Sequence, residues 1–166
     1  MITDPAGTRA RDHFAEMYVA GFLADAGWDI YFPHRDRGFD MIVTRPLGEA
    51  TIVRPVQVKG KYARDEKTNK RAYGYVGRVT AFHDDMILAI PYFTSTSAAA
   101  PELIAWMPRS SLRPHKRGWR CQPAKFIGGI PLPRLEYLPF FGTNGLARFA
   151  VAAAGQTLSD SAPHGE

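Results

Sequence analysis

The sequence predicts an α/β fold, a mixed central β-sheet flanked by helices, and three observations predict it. Residues 8–26 lack proline and repeat their apolar side chains at helical spacing. Five later runs, at 28–32, 39–45, 51–59, 85–93 and 102–107, have the β-branched and aromatic composition of strands. The chain has 166 residues, 45% of them hydrophobic and 12% aromatic, which suffices for one core and not for two full domains. Residues 1–154 are therefore assigned to one domain and residues 155–166 to a flexible tail.

In the first helix Ala10, Phe14, Met17, Tyr18, Gly21 and Phe22 recur at helical spacing, Asp4 or Thr8 can cap the start and Gly27 can end it. Arg9, Asp12, His13 and Glu16 form its only polar arc, so the helix is expected to pack on a sheet and be covered elsewhere. Trp28–Phe32 reads as a short strand stopped by Pro33 and the charged residues after it. Phe39–Thr44 is a nearly continuous apolar run broken by Asp40, and such runs mark central strands in which an acid is costly unless it has a task or a partner. Residues 46–49 supply turn chemistry and Thr51–Lys59 resumes strand composition, so a hairpin is expected, with Pro55 marking a bulge. Residues 60–80 read mostly as loop, with a strand near 72–79. Residues 85–93 and 102–107 read as two buried strands, followed by a helical turn at 108–112, a wrapping segment at 113–142, and a helix at 145–154 capped by Asn144 and ended by Gly155.

Composition narrows the function classes. A lone cysteine, Cys121, excludes an internal disulfide and a cysteine-based zinc site, which points to a reducing cytoplasm. No apolar run has the roughly 18 residues of a membrane span, and the first residues lack the order of a secretory signal, so no membrane role is expected. The net charge of +5 is unevenly placed. Residues 54–78 hold eight basic groups against Asp65 and Glu66, and residues 109–125 hold six basic groups and no acid. Such segregation suits a polyanion, and nucleic acid is the expected partner.

The chemistry is concentrated in residues 38–60. Strand side chains alternate, so Gln57 and Lys59 point the same way. With the turn at 46–49, Asp40 faces Pro55 and has Gln57 as its diagonal neighbour, roughly 7–8 Å away. An acid, an amide and an ammonium on one patch are the groups that hold a hard divalent cation and set a positive charge beside an anionic substrate.

These residues and their order, a helix at 8–26, a strand at 28–32, Gly38-Phe39-Asp40 on a second strand and Gln57-Val58-Lys59 on a third, resemble the PD-(D/E)XK nuclease superfamily. The likeness covers residues 8–60 and is greatest to the branch with Gln for the first acid of the pair, as in Mrr-type restriction endonucleases and related phage and intron nucleases. The strands at 85–107 are similar to the later pair of that branch. The resemblance implies a restriction-endonuclease-like core and a Mg²⁺- or Mn²⁺-dependent endonuclease acting on DNA. It implies Asp40, Gln57, the Val58 carbonyl and the helical Glu16 as metal ligands, with Lys59 orienting the attacking water. Phe39 replaces the motif's leading proline, and Gln57 removes one charge from the site.

Lys61, Arg64, Lys67, Lys70, Arg71, Arg78, Arg113, Lys116 and Arg117 are the expected nucleic-acid contacts, which would hold the backbone without reading sequence. Tyr62, Tyr73, Tyr75 and Trp119 are candidates for base stacking or for core packing. A homodimer or an unidentified specificity partner fits so small a domain. A catalytically inactive nucleic-acid-binding or scaffold protein of the same fold is the rival reading, motivated by Gln57, and a module for small molecules or an acidic protein partner is a third. Elsewhere His83-Asp84-Asp85 is too short of ligands for a zinc site, and Cys121 has no activating base beside it.

Overall fold

The computed structural model describes residues 5–35, 38–63, 75–77, 83–116 and 118–157. Helix α1 (Pro5–Asp25) leads into β1 (Asp29–Tyr31), β2 (Met41–Leu47), β3 (Ala50–Val58) and β4 (Lys61–Tyr62). Strands β5 (Tyr75–Gly77), β6 (Ile87–Phe93) and β7 (Leu103–Pro108) follow, then β8 (Arg113–His115), β9 (Gly118–Arg120), β10 (Ala124–Ile127) and β11 (Ile130–Pro133). Two 3₁₀ segments, Arg109–Ser111 and Leu135–Phe140, and helix α2 (Gly142–Thr157) complete the order.

The central sheet is mixed, as expected of an α/β chain. Strands β1, β2 and β3 are successive antiparallel neighbours, β3 pairs in parallel with β6, and β7 returns antiparallel along the far edge of β6. Every residue of β6 is buried, because both of its edges and both of its faces are covered. Alternation sends Met41, Val43, Val56, Val58, Ala89, Phe93 and Trp106 to one face, where they meet Ala15, Val19 and Leu23 of α1 and Leu146 of α2. Leu88, Ile90, Tyr92, Ala105 and Met107 point to the other face and pack with Leu112, Cys121, Ala124 and Phe126 of the β8–β11 region. The layers run helices, central sheet, then small strands, and the wrapping segment expected at 113–142 is built from the small strands of that third layer.

Three local expectations need correction. The β2–β3 turn uses Gly48 and Glu49 alone, with Leu47 facing Ala50, because Gly48 adopts a φ of +61° suited to a two-residue hairpin. The register therefore differs by two residues, and Ile42, not Asp40, faces Pro55. A change of two preserves the face of every side chain. Pro55 makes no bulge in this ladder, which is continuous from Met41↔Val56 to Leu47↔Ala50. Its nitrogen turns toward β6 one residue before that pairing begins at Val56, so no ladder hydrogen bond is lost. Finally, α2 starts at Gly142 and runs through Thr157, so Asn144 lies inside the first turn instead of capping it, Gly155 does not end it, and residues 155–157 are helical.

Candidate active site

The β2–β3 ladder ends at Met41↔Val56, and the site lies where the two strands part. Here Asp40 takes over from the ladder. Its backbone N–H donates to the Val56 carbonyl at 2.9 Å, and its Oδ2 accepts the Val58 N–H at 2.6 Å. A charge-assisted bond of that length fixes the carboxylate against β3. The Lys59 N–H donates to the Ala89 carbonyl at 2.9 Å, on the β6 side, so alternation turns the N–H and C=O of Val58 toward β2 and Asp40. The Val58 carbonyl thus opens on the side where the Asp40 carboxylate stands.

Gln57 lies between the two residues that Asp40 grips. It pairs with Leu88, is 6% exposed, and its Oε1 is buried without a hydrogen-bond partner among the described residues. A buried amide oxygen with nothing to accept from costs about 1–3 kcal/mol, so its orientation asks for a ligand or a reason. Lys59 and Lys61 continue the row. Val58 faces Ala89 and Lys61 faces Tyr92, the same offset along β6, so the chain keeps its register through residues 59 and 60. Gln57, Lys59 and Lys61 therefore share the face of Leu88, Ile90 and Tyr92. Sequence reading placed the first two together and did not align Lys61 with them, because the β6 register that continues past Val58 has no local signature.

Glu16 is placed differently. It sits on α1, whose buried side chains Ala15 and Val19 pack against the opposite face of the sheet, and it lies 3.3 Å from His13. Among the described residues no three His, Cys, Asp or Glu side chains gather as a metal site. The oxygen donors at the strand divergence are one carboxylate, one orphaned amide oxygen and one backbone carbonyl. That set fits Mg²⁺ or Mn²⁺, which bind through one or two carboxylates and take their remaining oxygens from water and substrate phosphate.

The other candidates resolve into structural roles. Asp85 pairs with the buried Arg54 at 2.7 Å and Asp84 pairs with Arg109, so the His83-Asp84-Asp85 group is held by arginines. Burial pushes the Cys121 thiol up to about 12 against the opposing charge of Lys61, which leaves it protonated and unreactive. Tyr62 stacks on Phe93 with ring centroids 4.7 Å apart, and Trp119 is half-buried against the second core cluster. Among the expected nucleic-acid contacts, Arg113 and Lys116 are exposed on β8 and the turn after it, and Lys61 is half-buried. Arg64, Lys67, Lys70, Arg71, Arg78 and Arg117 lie outside the described residues, as do Tyr73 and residues 158–166.

The sheet face that carries Gln57 is covered unevenly. Tyr31 faces Ile42, which faces Pro55, and Asp29 faces Thr44, which faces Val53. Tyr31 is 55% and Val53 52% exposed, whereas Pro55 and Gln57 are buried. This face is open at β1 and closes toward β6.

No family model matches the chain, and no curated protein matches it.

Proposed function

We propose that the chain is a divalent-cation-dependent endonuclease that hydrolyses phosphodiester bonds of nucleic acid, DNA in the first instance, at Asp40, Gln57 and Lys59. One observation carries the reading: a nine-tenths-buried glutamine with an unpartnered oxygen lies between the two strand residues to which the Asp40 backbone and carboxylate are bonded, with a lysine two residues on along the same face. The order of helix, antiparallel strands and parallel return also agrees with the restriction-endonuclease-like core that the sequence resembles.

Asp40, Gln57 Oε1 and the Val58 carbonyl would hold Mg²⁺ or Mn²⁺, and the bound cation supplies Lewis-acid polarisation of water and phosphate. Asp40 brings the formal charge of the set. Gln57 contributes an oxygen with no proton to lose, and its burial keeps it from being hydrated. Lys59 faces the developing negative charge on the phosphoryl oxygens and orients the attacking water. Basic groups such as Arg113 and Lys116 hold the backbone.

Nicking of supercoiled plasmid across a Mg²⁺ titration tests this. Wild type is expected to nick only with added cation. Asp40→Ala is expected to lose at least about 100-fold in rate while binding DNA within about threefold of wild type, because phosphate contacts dominate affinity. Lys59→Ala is expected to slow cleavage even at saturating Mg²⁺. Cleavage by Asp40→Ala at the wild-type rate refutes the assignment. The neutral Gln57, which brings one charge fewer to a cation than a carboxylate would, motivates the second reading, a nucleic-acid-binding protein without activity. That reading predicts binding by every variant and cleavage by none.

A further inference from the structure

We propose that the open part of the sheet face beside Asp40 is a base-stacking ledge, and that the substrate is a strand whose bases are unpaired next to the cut, one of them lying on Tyr31. The proposal rests on the nuclease reading of the same site and adds the substrate class to it.

The ledge is defined by strand pairing. Tyr31 faces Ile42, Ile42 faces Pro55, and Pro55 shares its face with Gln57, so the Tyr31 ring stands on the side of the sheet where Gln57 and Lys59 stand. Asp40 lies just before β2, two residues from Ile42, the partner of Tyr31, so Tyr31 stands near the end of the sheet at which the site lies. Lys59 is four residues along β3 from Pro55 and Tyr31 lies two strands across, about 16 Å between backbones, a span that a strand with a phosphate at Lys59 covers within two or three nucleotides. Across the strands from Tyr31 the neighbours on its face are uncharged: Ile42 and Thr44 are half-buried and Val53 is 52% exposed. An exposed aromatic on a sheet beside a line of cations is the arrangement by which single strands are bound.

Charge selects between single strand and duplex. On this face Lys59 and Lys61 stand at the β6 side, while the described residues of β1 and β2 that share it include Asp29 and no lysine or arginine. A lone strand can run its phosphates along the lysines and turn its bases onto Tyr31, Ile42 and Val53. A duplex has backbones on both sides of its base pairs, and one of them would lie over Asp29, which repels it.

The test is fluorescence anisotropy in EDTA with a labelled oligothymidylate of about 20 nucleotides and a duplex of the same length, using wild type, Tyr31→Ala and Tyr31→Phe. Wild type is expected to bind the single strand more tightly than the duplex. Tyr31→Ala is expected to weaken single-strand binding about tenfold and duplex binding less than twofold, and Tyr31→Phe to restore the wild-type affinity, since the ring and not the hydroxyl stacks. Equal losses on both probes, no loss on either, or tighter binding of the duplex by wild type overturns the ledge. These outcomes are separate from the fate of the nuclease reading, because binding in EDTA needs no cleavage. Selective loss at Tyr31 with no cation-dependent nicking by wild type would keep the ledge and discard the nuclease.

Discussion

Gln57 is the residue on which the account turns, and its position explains how a neutral side chain can serve where a carboxylate is commoner. Buried to 6% exposure, a glutamate there would carry an unpaired charge into the sheet whenever no cation was bound. A glutamine leaves only an unmet acceptor, a smaller cost. Gln57→Glu is therefore expected to lower stability in EDTA at pH 7.5 by on the order of 2–4 kcal/mol, the scale on which burial raises a carboxyl pKa. Millimolar Mg²⁺ should recover most of that loss, because a ligand that binds only the folded form stabilises it. Thermal melts with and without Mg²⁺ check this, and a variant as stable as wild type in EDTA would mean that the side chain reaches solvent. Alternation along a strand was enough to read Gln57 and Lys59 onto one face from sequence. The clamp from Asp40 to the Val58 N–H was not legible, because it depends on where the ladder ends, and the turn that sets the ladder uses two residues and not four.

At the scale of elements, the site depends on how α1 and β4 confine the stretch after β3. A Cβ at Gly60 would lie 2.9 Å from the Tyr62 hydroxyl, 3.0 Å from its Cε2 and 3.1 Å from the Ala15 Cβ. The Tyr62 ring has little freedom to yield, since its hydroxyl donates to the Arg11 carbonyl at 2.8 Å and its face stacks on Phe93. Gly60→Ala is expected to destabilise the fold by about 1–3 kcal/mol, the usual range for overpacking, and to slow nicking through displacement of Lys59. Urea denaturation and the plasmid assay measure the two effects, and an unchanged midpoint would refute the close packing of α1 on β4. The helix at 8–26, the hairpin and the strands at 85–93 and 102–107 were readable within a few residues because each has an uninterrupted period or apolar run. The short strands of 113–133 were not. In β8–β11, runs of three or four residues with Pro114, Pro131 and Pro133 leave too few side chains for alternation to appear, and their pairing partners are fixed by packing on Leu88, Ile90 and Tyr92.

At the scale of the molecule, helices close one face of the sheet and small strands close part of the other, leaving the strand divergence near the open border of the second face. No helix among the described residues is long and apolar enough to cross a membrane. The layering explains why Glu16, grouped with Asp40 by sequence resemblance, stands on the helical layer, whereas the lysines at 59 and 61 continue the row of Gln57. The central claim is that the oxygens of Asp40, Gln57 and Val58 form a cation site, and anomalous diffraction from a crystal soaked in Mn²⁺ tests it most directly. The account predicts a peak within about 2.0–2.4 Å of both the Asp40 carboxylate and Gln57 Oε1, lost in an Asp40→Ala crystal. Manganese bound elsewhere, with Gln57 Oε1 hydrogen-bonded to protein or water, would contradict it.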